Sequence, residues 1–490
     1  MVRDLNIAVS PGKGPAYLKV AHALREALQR KILRPGEALP SSRRLAEMTG
    51  LHRQTVMAAL EELIAEGWIV SDLRKCYRVS GTLPTEFFEA TAGSESTSVG
   101  KEFEWKLPPR LPEVLSPPSG VLRHSFQSGL SDVRLFPRRE FKSCWQDSFL
   151  RSGTDVLGAR NGAGQPFFLE TPDLYLRRVR RLSGRHIIAT HGSQEGIYIA
   201  ARLLLKKDDR VAVEALGYPS AWGVFQSVGA ALEPIPLDTA GLDVEALEKK
   251  LKSPSGRRIR LIYTTPLHQY PTTATLPMDR RLRLYGLAVR YGVPILEDDY
   301  DHELHYRSQP LAPLASQDQA GCVIYLSTFS KVLFPAARLG CLVVPQEIAE
   351  PALRYKRLTT GHTDPILQET VARWIASGGF ERHLRRMRRA CEERRDALLA
   401  CLNGLAAKGL VLQPKAPDGG MSIWVETRVD TTRLYREALT AGILVLPEAA
   451  FRPDHLPGKG LRLGFANQTP EEIRRGISLL EPILRKLRRN

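Results

Sequence analysis

Cysteine is scarce in this chain, and its placement argues against two kinds of stabilisation. The 490 residues include six cysteines, and none of them belongs to a Cys-x-x-Cys pair or to a cluster with histidines. A disulfide framework and a structural zinc site are therefore not expected, and no metal is predicted. Long apolar runs are also missing: none approaches 18 residues, and the N-terminus has no apolar core followed by a cleavage site. We expect a reduced, cytoplasmic protein without a membrane partner.

Acidic side chains are too few to balance the basic ones. The chain has 70 Lys and Arg against 53 Asp and Glu, which gives a formal net charge of +17. This excess favours polyanionic partners, although charge alone leaves nucleic acid, a phosphorylated ligand and an acidic membrane open. The length suits roughly three structural units. The basic run from Arg382 to Arg395 is interpreted as the solvated face of a helix.

The first eighty residues carry a helix, helix, turn, helix, hairpin pattern. Apolar residues recur at helical spacing from about residue 17 to 28, and Pro40 with its two following serines is typical of a helix start. Gly50 ends that second helix, and a third is expected from about residue 52 to 65. It should bury Val56, Leu60, Leu63 and Ile64. Residues 68–70 and 77–79 predict a small hairpin, so the module is predicted to be a winged helix-turn-helix.

The third helix of such a module meets base edges with its N-terminal residues. Those residues here are His52, Arg53, Gln54 and Thr55. Arg43, at the start of the preceding helix, is placed to hold a phosphate, and Arg74 and Lys75 are placed at the wing tip.

A small helical bundle for protein contacts is the alternative interpretation, because helix-turn-helix patterns are short. The module resembles the GntR family, however, in Leu39-Pro-Ser-Ser-Arg43, Arg53-x-Thr-Val56 and Leu63-x-x-Glu-Gly67. The resemblance departs at the wing, where the family has glycines and this chain has Arg74-Lys-Cys76. It implies operator DNA as a partner.

Between residues 81 and 120 the chain loses periodicity and gathers Pro, Ser, Thr and Glu. We assign residues 1–80 to the DNA-binding domain, 81–120 to a linker and 121–490 to a larger domain. A linker of about forty residues reaches over tens of ångströms, so the DNA-binding domain need not touch the large domain of its own chain.

Beyond the linker, short apolar runs alternate with helical patterns. This alternation predicts an α/β fold with a mostly parallel sheet and helices on both faces. Five chemically distinctive residues each follow a run by a few positions: Ser193, Tyr218, Tyr270, Asp298 and Lys331. Ligands of open α/β sheets gather at the carboxyl ends of the strands, so we expect these five residues to form one pocket.

Lys331 lies in the run Ser327-Thr-Phe-Ser-Lys331, and Arg338 follows seven residues later. The hydroxyls of Ser327 and Ser330, together with the Arg338 guanidinium, suit a phosphate monoester. An amine beside them suits a lysine that forms a Schiff base with an aldehyde of the same ligand, and burial should lower its pKa. The helix start at Ser193 and Gln194 offers a further phosphate site, for which a plain helix cap is the alternative.

The acidic run from Glu297 to Asp301 follows a buried strand and has two interpretations. A divalent metal site is the less favoured one, because no Gly-rich loop or phosphate-transfer motif accompanies the run. The favoured one pairs Asp298 with the pyridine nitrogen of a cofactor and lets Tyr300 donate to its phenolic oxygen. Glu297, Asp299 and Asp301 are then interpreted as loop or surface charges.

Two further side chains have open roles. The ring of Tyr218 can stack on a heteroaromatic cofactor or simply pack in the core. Arg462 stands in an apolar strand and needs an anionic partner, for which the carboxylate of a ligand or a structural ion pair is available.

From about residue 125 onward the chain resembles fold type I pyridoxal-phosphate aminotransferases. The motifs that carry this resemblance are Gly192-Ser-Gln194, Glu214-x-x-Gly-Tyr-Pro219, His268-Gln-Tyr-Pro-Thr272, Glu297-Asp-Asp-Tyr-Asp301, Ser327-x-x-Ser-Lys331 with Arg338, and Arg462. Together with the GntR-like head, the whole chain is similar to MocR-type transcription regulators.

This resemblance implies pyridoxal 5′-phosphate as the cofactor, bound covalently by Lys331 and contacted by Asp298, Tyr300, Ser327, Ser330 and Arg338. It also implies that Arg462 binds the carboxylate of a small amino-compound effector. The fold implied is a large subdomain at about 168–345 and a smaller α+β subdomain from the flanking segments. The implied assembly is a homodimer with exchanged DNA-binding domains.

Two departures from the aminotransferase pattern lie on the effector side of the predicted pocket. Tyr270 precedes Pro271-Thr-Thr273 where aminotransferases have an asparagine before Pro-Thr-Gly, and Gly420-Met-Ser422 replaces Gly-Leu-His. We therefore place Tyr270 with Arg462 among the effector-binding residues. The predicted function is a DNA-binding regulator that senses an amino compound or the supply of its cofactor. An active aminotransferase with a DNA-binding appendage, and a scaffold without cofactor, are the alternatives.

Overall fold

The computed structural model describes residues 14–30, 32–71, 76–81, 122–151, 153–158, 162–306 and 311–489. These residues form two units, one within Met1–Pro108 and the other within Pro109–Asn490. The predicted linker, apart from Gly81, lies outside the described residues. Within the described ranges, no helix combines the length and apolar character needed to cross a membrane.

The first unit is a three-helix module followed by a hairpin. Its elements are α1 (Ala16–Gln29), α2 (Ser42–Thr49), α3 (Arg53–Ala65), β1 (Ile69–Ser71) and β2 (Tyr77–Val79). The Ser41 hydroxyl caps α2 by accepting from the Arg44 amide, and Gly50 ends α2 with a φ of 65°. The strands β1 and β2 pair antiparallel. The predicted winged helix-turn-helix is confirmed; the tip of its wing, with Arg74 and Lys75, lies outside the described residues.

The core of this unit forms where the three helices meet, and one prediction about it is wrong. Val56, Leu60 and Leu63 of α3 are fully buried, as expected, but Ile64 is 36% exposed. Ala59 completes the buried face of α3, so Ile64, one residue further round the helix, stays at its edge.

The second unit contains twelve α-helices, five short 3-10 helices and fourteen strands within the described residues. The helices are α4 (Arg138–Arg151), α5 (Thr154–Leu157), α6 (Pro166–Arg180), α7 (Ser193–Leu204), α8 (Pro219–Ser227), α9 (Val244–Lys252), α10 (Met278–Tyr291), α11 (Gln346–Thr359), α12 (Pro365–Ala376), α13 (Gly379–Ala407), α14 (Thr431–Thr440) and α15 (Pro470–Arg489). The strands are β3 (His124–Ser125), β4 (His186–Thr190), β5 (Arg210–Glu214), β6 (Ala231–Ile235), β7 (Leu237–Asp238), β8 (Gly241–Leu242), β9 (Ile259–Thr264), β10 (Ile295–Asp299), β11 (Val323–Thr328), β12 (Gly340–Val344), β13 (Ser422–Glu426), β14 (Ile443–Leu444), β15 (Leu446–Pro447) and β16 (Gly460–Gly464).

A seven-stranded sheet organises the larger part of this unit. Its order is β4-β12-β11-β10-β9-β5-β6, and β12 alone among these seven strands runs antiparallel to its neighbours. Strand β10 lies in the centre, paired in parallel with β11 on one side and β9 on the other. The mostly parallel sheet predicted from the alternating pattern is confirmed.

Apolar side chains cover both faces of this sheet. Val211 and Val213 of β5 pack in one cluster with Ile197 of α7 and Phe225 of α8. The residue between them, Ala212, belongs to a second cluster that includes side chains of α9 and α10. Because successive residues of a strand point to opposite faces, helices cover the sheet on both sides, as expected.

The smaller part combines a three-stranded antiparallel sheet, in the order β13-β16-β15, with helices α13, α14 and α15. Strand β14 pairs in parallel with β3, so the segment that begins near residue 122 joins the C-terminal part of the chain. This is the α+β arrangement from flanking segments that the resemblance implied.

The basic run on α13 is only partly solvated. Arg382, Arg385 and Arg389 are exposed, but Arg394 is buried and its Nη2 lies 2.7 Å from Asp132 Oδ2. The interpretation of the run as a solvated face is therefore wrong for Arg394, because α13 turns that side chain toward the segment before α4 and pairs it with a carboxylate there.

Candidate functional site

A cavity of about 520 Å³ lies where the strands β9, β10 and β11 end. All five residues that the sequence places just after strands line it: Ser193, Tyr218, Tyr270, Asp298 and Lys331. Its other walls come from residues 127–130 and from the smaller part of the unit, including Tyr435, Leu446 and Phe451. The sheet therefore brings together side chains that are far apart in sequence.

Lys331 stands at the end of the helical turn that directly follows β11. Its Nζ donates to the carbonyl oxygen of Gly129 at 3.1 Å. Burial lowers the pKa of this amine, against the opposing effect of Asp301 and Asp298. Gly129 has a φ of 78°, and a Cβ at this position would lie 2.9 Å from Nζ. The site thus favours an amine that loses its proton more easily than a surface lysine.

Asp298 offers an unused oxygen to the cavity. Tyr263 Oη donates to Oδ2 at 2.9 Å, whereas the buried Oδ1 has no hydrogen-bond partner among the described residues. Burial raises the pKa of Asp298 to about 7. An N–H group of a ligand at Oδ1 would satisfy the oxygen and favour the ionised carboxylate.

The start of α7 and Arg338 lie next to each other. The guanidinium carbon of Arg338 lies 3.4 Å from the place of a Cβ on Gly192, the residue before Ser193. Its Nη2 donates to the carbonyl oxygen of His191 at 2.9 Å. The backbone of Gly340 lies close to that of Ser327, since a Cβ on Gly340 would lie 2.7 Å from the Ser327 carbonyl oxygen. A cation beside free helix N–H groups can bind a phosphate.

Two other residues predicted to surround a phosphate, Ser330 and Gln194, form hydrogen bonds to protein groups. The amide of Ser330 donates to Thr328 Oγ1 at 3.2 Å, and the Thr328 hydroxyl donates to Ser330 Oγ at 3.1 Å. Gln194 uses its side-chain amide to bind the carbonyl oxygen of Ser220 at 2.8 Å. Gln194 therefore joins two loops of the cavity wall through this contact.

Three tyrosines pack edge to face along one side of the cavity. The ring centroids of Tyr218 and Tyr270 are 5.4 Å apart, and those of Tyr270 and Tyr300 are 5.8 Å apart. Tyr300 Oη donates to the carbonyl oxygen of His268 at 3.0 Å. The donation to a ligand that the sequence predicts for Tyr300 therefore requires this hydrogen bond to be exchanged.

Arg462 is buried behind the Tyr270 ring. It is 1% exposed, and its guanidinium carbon lies 4.0 Å from the centroid of that ring. Nε and Nη1 have no hydrogen-bond partner in the part of the chain that the structure describes, and no described carboxylate lies within ion-pair distance. A buried cation with unused donors needs an anion, so a ligand carboxylate fits this place.

The neighbours of Asp298 are not surface charges. Glu297, Asp299 and Asp301 are 0%, 3% and 2% exposed, so their interpretation as loop or surface charges is wrong. Glu297 and Asp299 lie on β10, which is central in the sheet and covered on both faces, and Asp301 lies two residues beyond its end. Each carboxylate has its own partners there.

These partners are specific. Glu297 accepts from the amides of Leu314 and Ala315, and burial raises its pKa to about 7. Asp299 pairs with the buried Arg180, and Asp301 Oδ1 lies 2.7 Å from His268 Nδ1. Among the described residues no group of three His, Cys, Asp or Glu side chains could hold a metal ion.

Several functional residues are missing from the predictions based on sequence. Tyr263 forms a hydrogen bond to Asp298, and Gly129 accepts one from Lys331. Neither Tyr263 nor Gly129 lies in a distinctive sequence motif. Glu214 was noted only as part of a motif; it is buried and accepts from Thr264 Oγ1 at 2.7 Å, Thr265 Oγ1 at 2.9 Å and Gln269 Nε2 at 3.1 Å. It therefore supports the loop that carries Tyr270.

The described residues of the first unit that are predicted to contact DNA are accessible. His52, Arg53 and Gln54 at the start of α3 are exposed, Thr55 is half-buried, and Arg43 on α2 is exposed. Arg53 Nε donates to Ser42 Oγ at 3.3 Å, a contact that links the two helices.

Comparison with known proteins finds the same two parts. Residues 167–480 match the family described as aminotransferase class I and II, and residues 16–79 match the bacterial regulatory proteins of the gntR family. The chain is 30% identical to the probable rhizopine catabolism regulatory protein MocR of Rhizobium meliloti over 95% of this chain and 93% of that one. It is 30% identical to the HTH-type transcriptional regulator TauR of Rhodobacter capsulatus, over 95% and 96%.

A solved structure matches the second unit closely. It is the kynurenine aminotransferase of Pyrococcus horikoshii in complex with PMP, with a TM-score of 0.71 and 29% identity over 75% of this chain and 92% of that one.

Proposed function

The chain belongs to the aminotransferase class I and II family and, with its gntR-type module, to the MocR-type regulators, and we propose from this that its second unit senses a small amino compound or the supply of its cofactor. It is a DNA-binding transcription regulator, and its cofactor is pyridoxal 5′-phosphate. The proposal concerns what the second unit detects and how the DNA-binding domain responds.

The residues of the cavity fit this cofactor. Bound pyridoxal 5′-phosphate supplies an aldehyde that reacts with amines and a protonated ring that withdraws electrons. The free Oδ1 of Asp298 is placed to accept from the ring nitrogen, and the easily deprotonated Lys331 amine to bond with the aldehyde. Arg338 and the start of α7 would hold the phosphate with Ser193, Ser327 and Ser330, and Tyr218 would lie against the ring.

An amino-compound effector would compete with Lys331 at the same carbon. Lys331 would then be released as a free amine that gains a proton, which changes the charge of the cavity. If the effector carries a carboxylate, Tyr270 has to move so that Arg462 can bind it. The effector can alter the second unit only if it binds two arrangements of that unit with different affinity.

The assembly proposed is a homodimer in the cytoplasm, with each DNA-binding domain exchanged to the partner. The predicted linker of about forty residues permits this exchange. A change in the second unit would then alter how the two DNA-binding domains are spaced on the operator.

The observation that carries the proposal is that one cavity contains both the buried Lys331 amine and the unused Oδ1 of Asp298, in a chain that also has a DNA-binding module. Titrating the cofactor-loaded protein with candidate amines, while following cofactor absorbance and operator affinity together, tests it. We expect both signals to change with the same half-saturation. Lys331→Ala should lose both responses and still bind operator. An absorbance change without a change in operator affinity would refute the sensing function.

Transamination is the second candidate, and the complete Lys331 and Asp298 pair favours it. Steady conversion of an amino donor and a 2-oxo acid by the purified protein would support it over sensing alone.

A further inference from the structure

The part of the cavity beyond the cofactor residues has almost no charge. Besides the imidazole of His455 and the tyrosine hydroxyls, the only titratable groups on the described lining residues are the Asp298 carboxyl and the Lys331 amine. Both are assigned to the cofactor by the proposed function. No lining carboxylate or cation therefore remains for a charged group on the effector, except Arg462 behind the Tyr270 ring.

The outer wall of the cavity is apolar and comes from the segment between β14 and β16. Its apolar lining residues are Leu444, Leu446, Pro447, Ala449, Ala450 and Phe451, and His455 of the same segment also lines the cavity. The aromatic ring of Tyr435 extends this surface. The Tyr270 ring contacts Phe451 with centroids 5.5 Å apart and covers Arg462, so it has to move aside before a ligand carboxylate can reach that cation. A side chain of similar character would bury its surface against this wall.

The charged residues of the same segment are engaged with one another. Glu448 Oε2 accepts from the Gly460 amide at 2.8 Å, and its Oε1 lies 3.4 Å from Arg452 Nη1. Arg452 pairs with Asp454 at 2.7 Å. None of the three lines the cavity, so the fold turns these charges away from the effector.

Arg462 is the single cation available, and it suits one carboxylate. It lies on β16 directly opposite Leu446 of β15, which itself lines the cavity. The carboxylate site and the apolar wall are therefore adjacent. A ligand bound at both would present one carboxylate to Arg462 and an uncharged side chain to the wall.

We infer that the effector is an α-amino acid with one carboxylate and a neutral, apolar side chain. This inference rests on the proposed sensing function and deepens it. A second charge on the side chain would be buried without a partner, which disfavours acidic and basic amino acids. An amine without a carboxylate would leave the Arg462 donors unpaired.

The cofactor-loaded protein tests this inference in a titration followed by absorbance and by calorimetry. The probes are L-phenylalanine, L-leucine, L-glutamate, L-lysine and 2-phenylethylamine. We expect the two apolar amino acids to bind at least about tenfold more tightly than each of the other three, since one unpaired buried group costs about that factor or more. L-glutamate or L-lysine binding as tightly as L-phenylalanine would overturn the inference.

The variant Leu446→Lys changes the expected preference, because it adds a second cation beside Arg462. Leu446 is only partly buried, so the new amine can reach water and the variant should fold. We expect the affinity for L-glutamate to rise at least about tenfold relative to the affinity for L-phenylalanine. Leu412→Lys makes the same substitution at an exposed position that does not line the cavity, and should leave the preference unchanged.

A wrong effector class and a wrong sensing function give different results in these measurements. If none of the five probes alters absorbance or operator affinity, the effector class inferred here is wrong; the sensing function falls only if other amines and the loading of the cofactor also leave operator affinity unchanged. If charged amino acids alter both signals and apolar ones do not, sensing stands and the assignment of the effector class is wrong. An unchanged preference in Leu446→Lys would also contradict the placement of the side chain on this wall.

Discussion

At the scale of single residues, the same carboxyl group serves different purposes according to what lies beside it. Asp298 lines the cavity, and one of its carboxyl oxygens accepts a hydrogen bond from Tyr263. Its other oxygen is buried and has no hydrogen-bond partner among the described residues unless a ligand provides one. Asp318 has both oxygens occupied by Arg185 and by the amides of Cys322 and Val323, so it is complete by itself. The first arrangement suits binding and the second suits stability.

Asp298→Asn should therefore separate binding from stability. An amide cannot stabilise a positive charge on the cofactor ring, so we expect cofactor affinity to fall by about tenfold or more and the absorption spectrum to shift. The cofactor-free protein should gain about 1–2 kcal/mol in its free energy of unfolding, because a buried carboxylate with an unpaired oxygen is removed. Spectra and denaturant unfolding measure the two effects.

The control for this variant is Asp318→Asn. It should lower stability and leave the spectrum of the bound cofactor unchanged. A stabilised Asp318→Asn, or an Asp298→Asn protein with normal spectrum and affinity, would contradict the contrast between the two carboxylates.

Glu303 predicts a pH dependence of stability. Burial raises its pKa to about 8, and it is faced by a small set of groups: His302, Tyr175, Asp299, Asp301, Arg180 and Arg388. The folded protein keeps the Glu303 proton to higher pH than the unfolded chain, whose glutamates titrate near 4.5. This contribution to stability is complete below pH 4.5 and is lost as the pH rises toward about 8.

Glu303→Gln should flatten the fall in stability across that window, because glutamine does not titrate and has a similar size. Denaturant unfolding at several pH values between 4.5 and 8 measures the difference. If the curves of the two proteins run parallel, Glu303 does not hold its proton in the folded state.

Thr273 occupies a conformation that suits glycine. Its φ is 61°, at the position where the aminotransferase pattern has a glycine. Thr273→Gly should stabilise the protein by up to about 1 kcal/mol, because a side chain in the left-handed region costs that much. Thr272→Gly is the matched control: it removes the hydrogen bond from Thr272 Oγ1 to Gln269 Oε1 at 2.6 Å and should destabilise. Thermal unfolding distinguishes the two.

At the scale of elements, the sequence was most informative where a pattern is local. The three helices and hairpin of the first unit, and the parallel strands of the second, follow from apolar spacing and from helix-start and turn residues such as Ser41 and Gly50. The burial of the acidic run at β10 could not be predicted, because consecutive acidic residues are typical of exposed loops. Only the position of β10 at the centre of the sheet makes those carboxylates buried, and strand order is not a local property.

The first unit predicts two kinds of DNA contact on two different helices. Arg53→Ala, at the start of α3, should weaken operator binding by about 1–3 kcal/mol and relax sequence preference. Arg43→Ala, on α2, should weaken binding to all duplexes and reduce the slope of affinity against salt by about one. Fluorescence anisotropy with operator and unrelated DNA at several salt concentrations measures both.

Arg30→Ala is the control for these variants, since Arg30 is also exposed but lies at the end of α1. It should leave sequence preference and salt slope close to those of the parent protein. If Arg53→Ala weakens operator and unrelated DNA equally, Arg53 contacts phosphate and not base edges.

At the scale of the whole molecule, the cavity depends on segments that are distant in the chain. The Lys331 amine donates a hydrogen bond to the carbonyl oxygen of Gly129, about two hundred residues earlier in the chain. Leu446 and Phe451, more than one hundred residues later, line the same cavity. The chemical residues near strand ends were predictable because α/β sheets place ligands there. The apolar wall was not, because it comes from a part of the fold whose packing on the sheet has no local signature.

The proposed dimer, with its two DNA-binding domains, predicts how an effector acts. If the effector changes only the spacing of these domains, it should alter affinity for an operator with two half-sites and leave affinity for a single half-site unchanged. Binding to two half-sites should exceed binding to one by about a hundredfold or more, because the second contact becomes intramolecular. Measuring the affinity for both duplexes with and without effector, at fixed salt, separates a change in domain spacing from a change within the DNA-binding domain itself. An equal effect on both duplexes would show that the signal reaches α3 directly, and the linker would then not act through spacing.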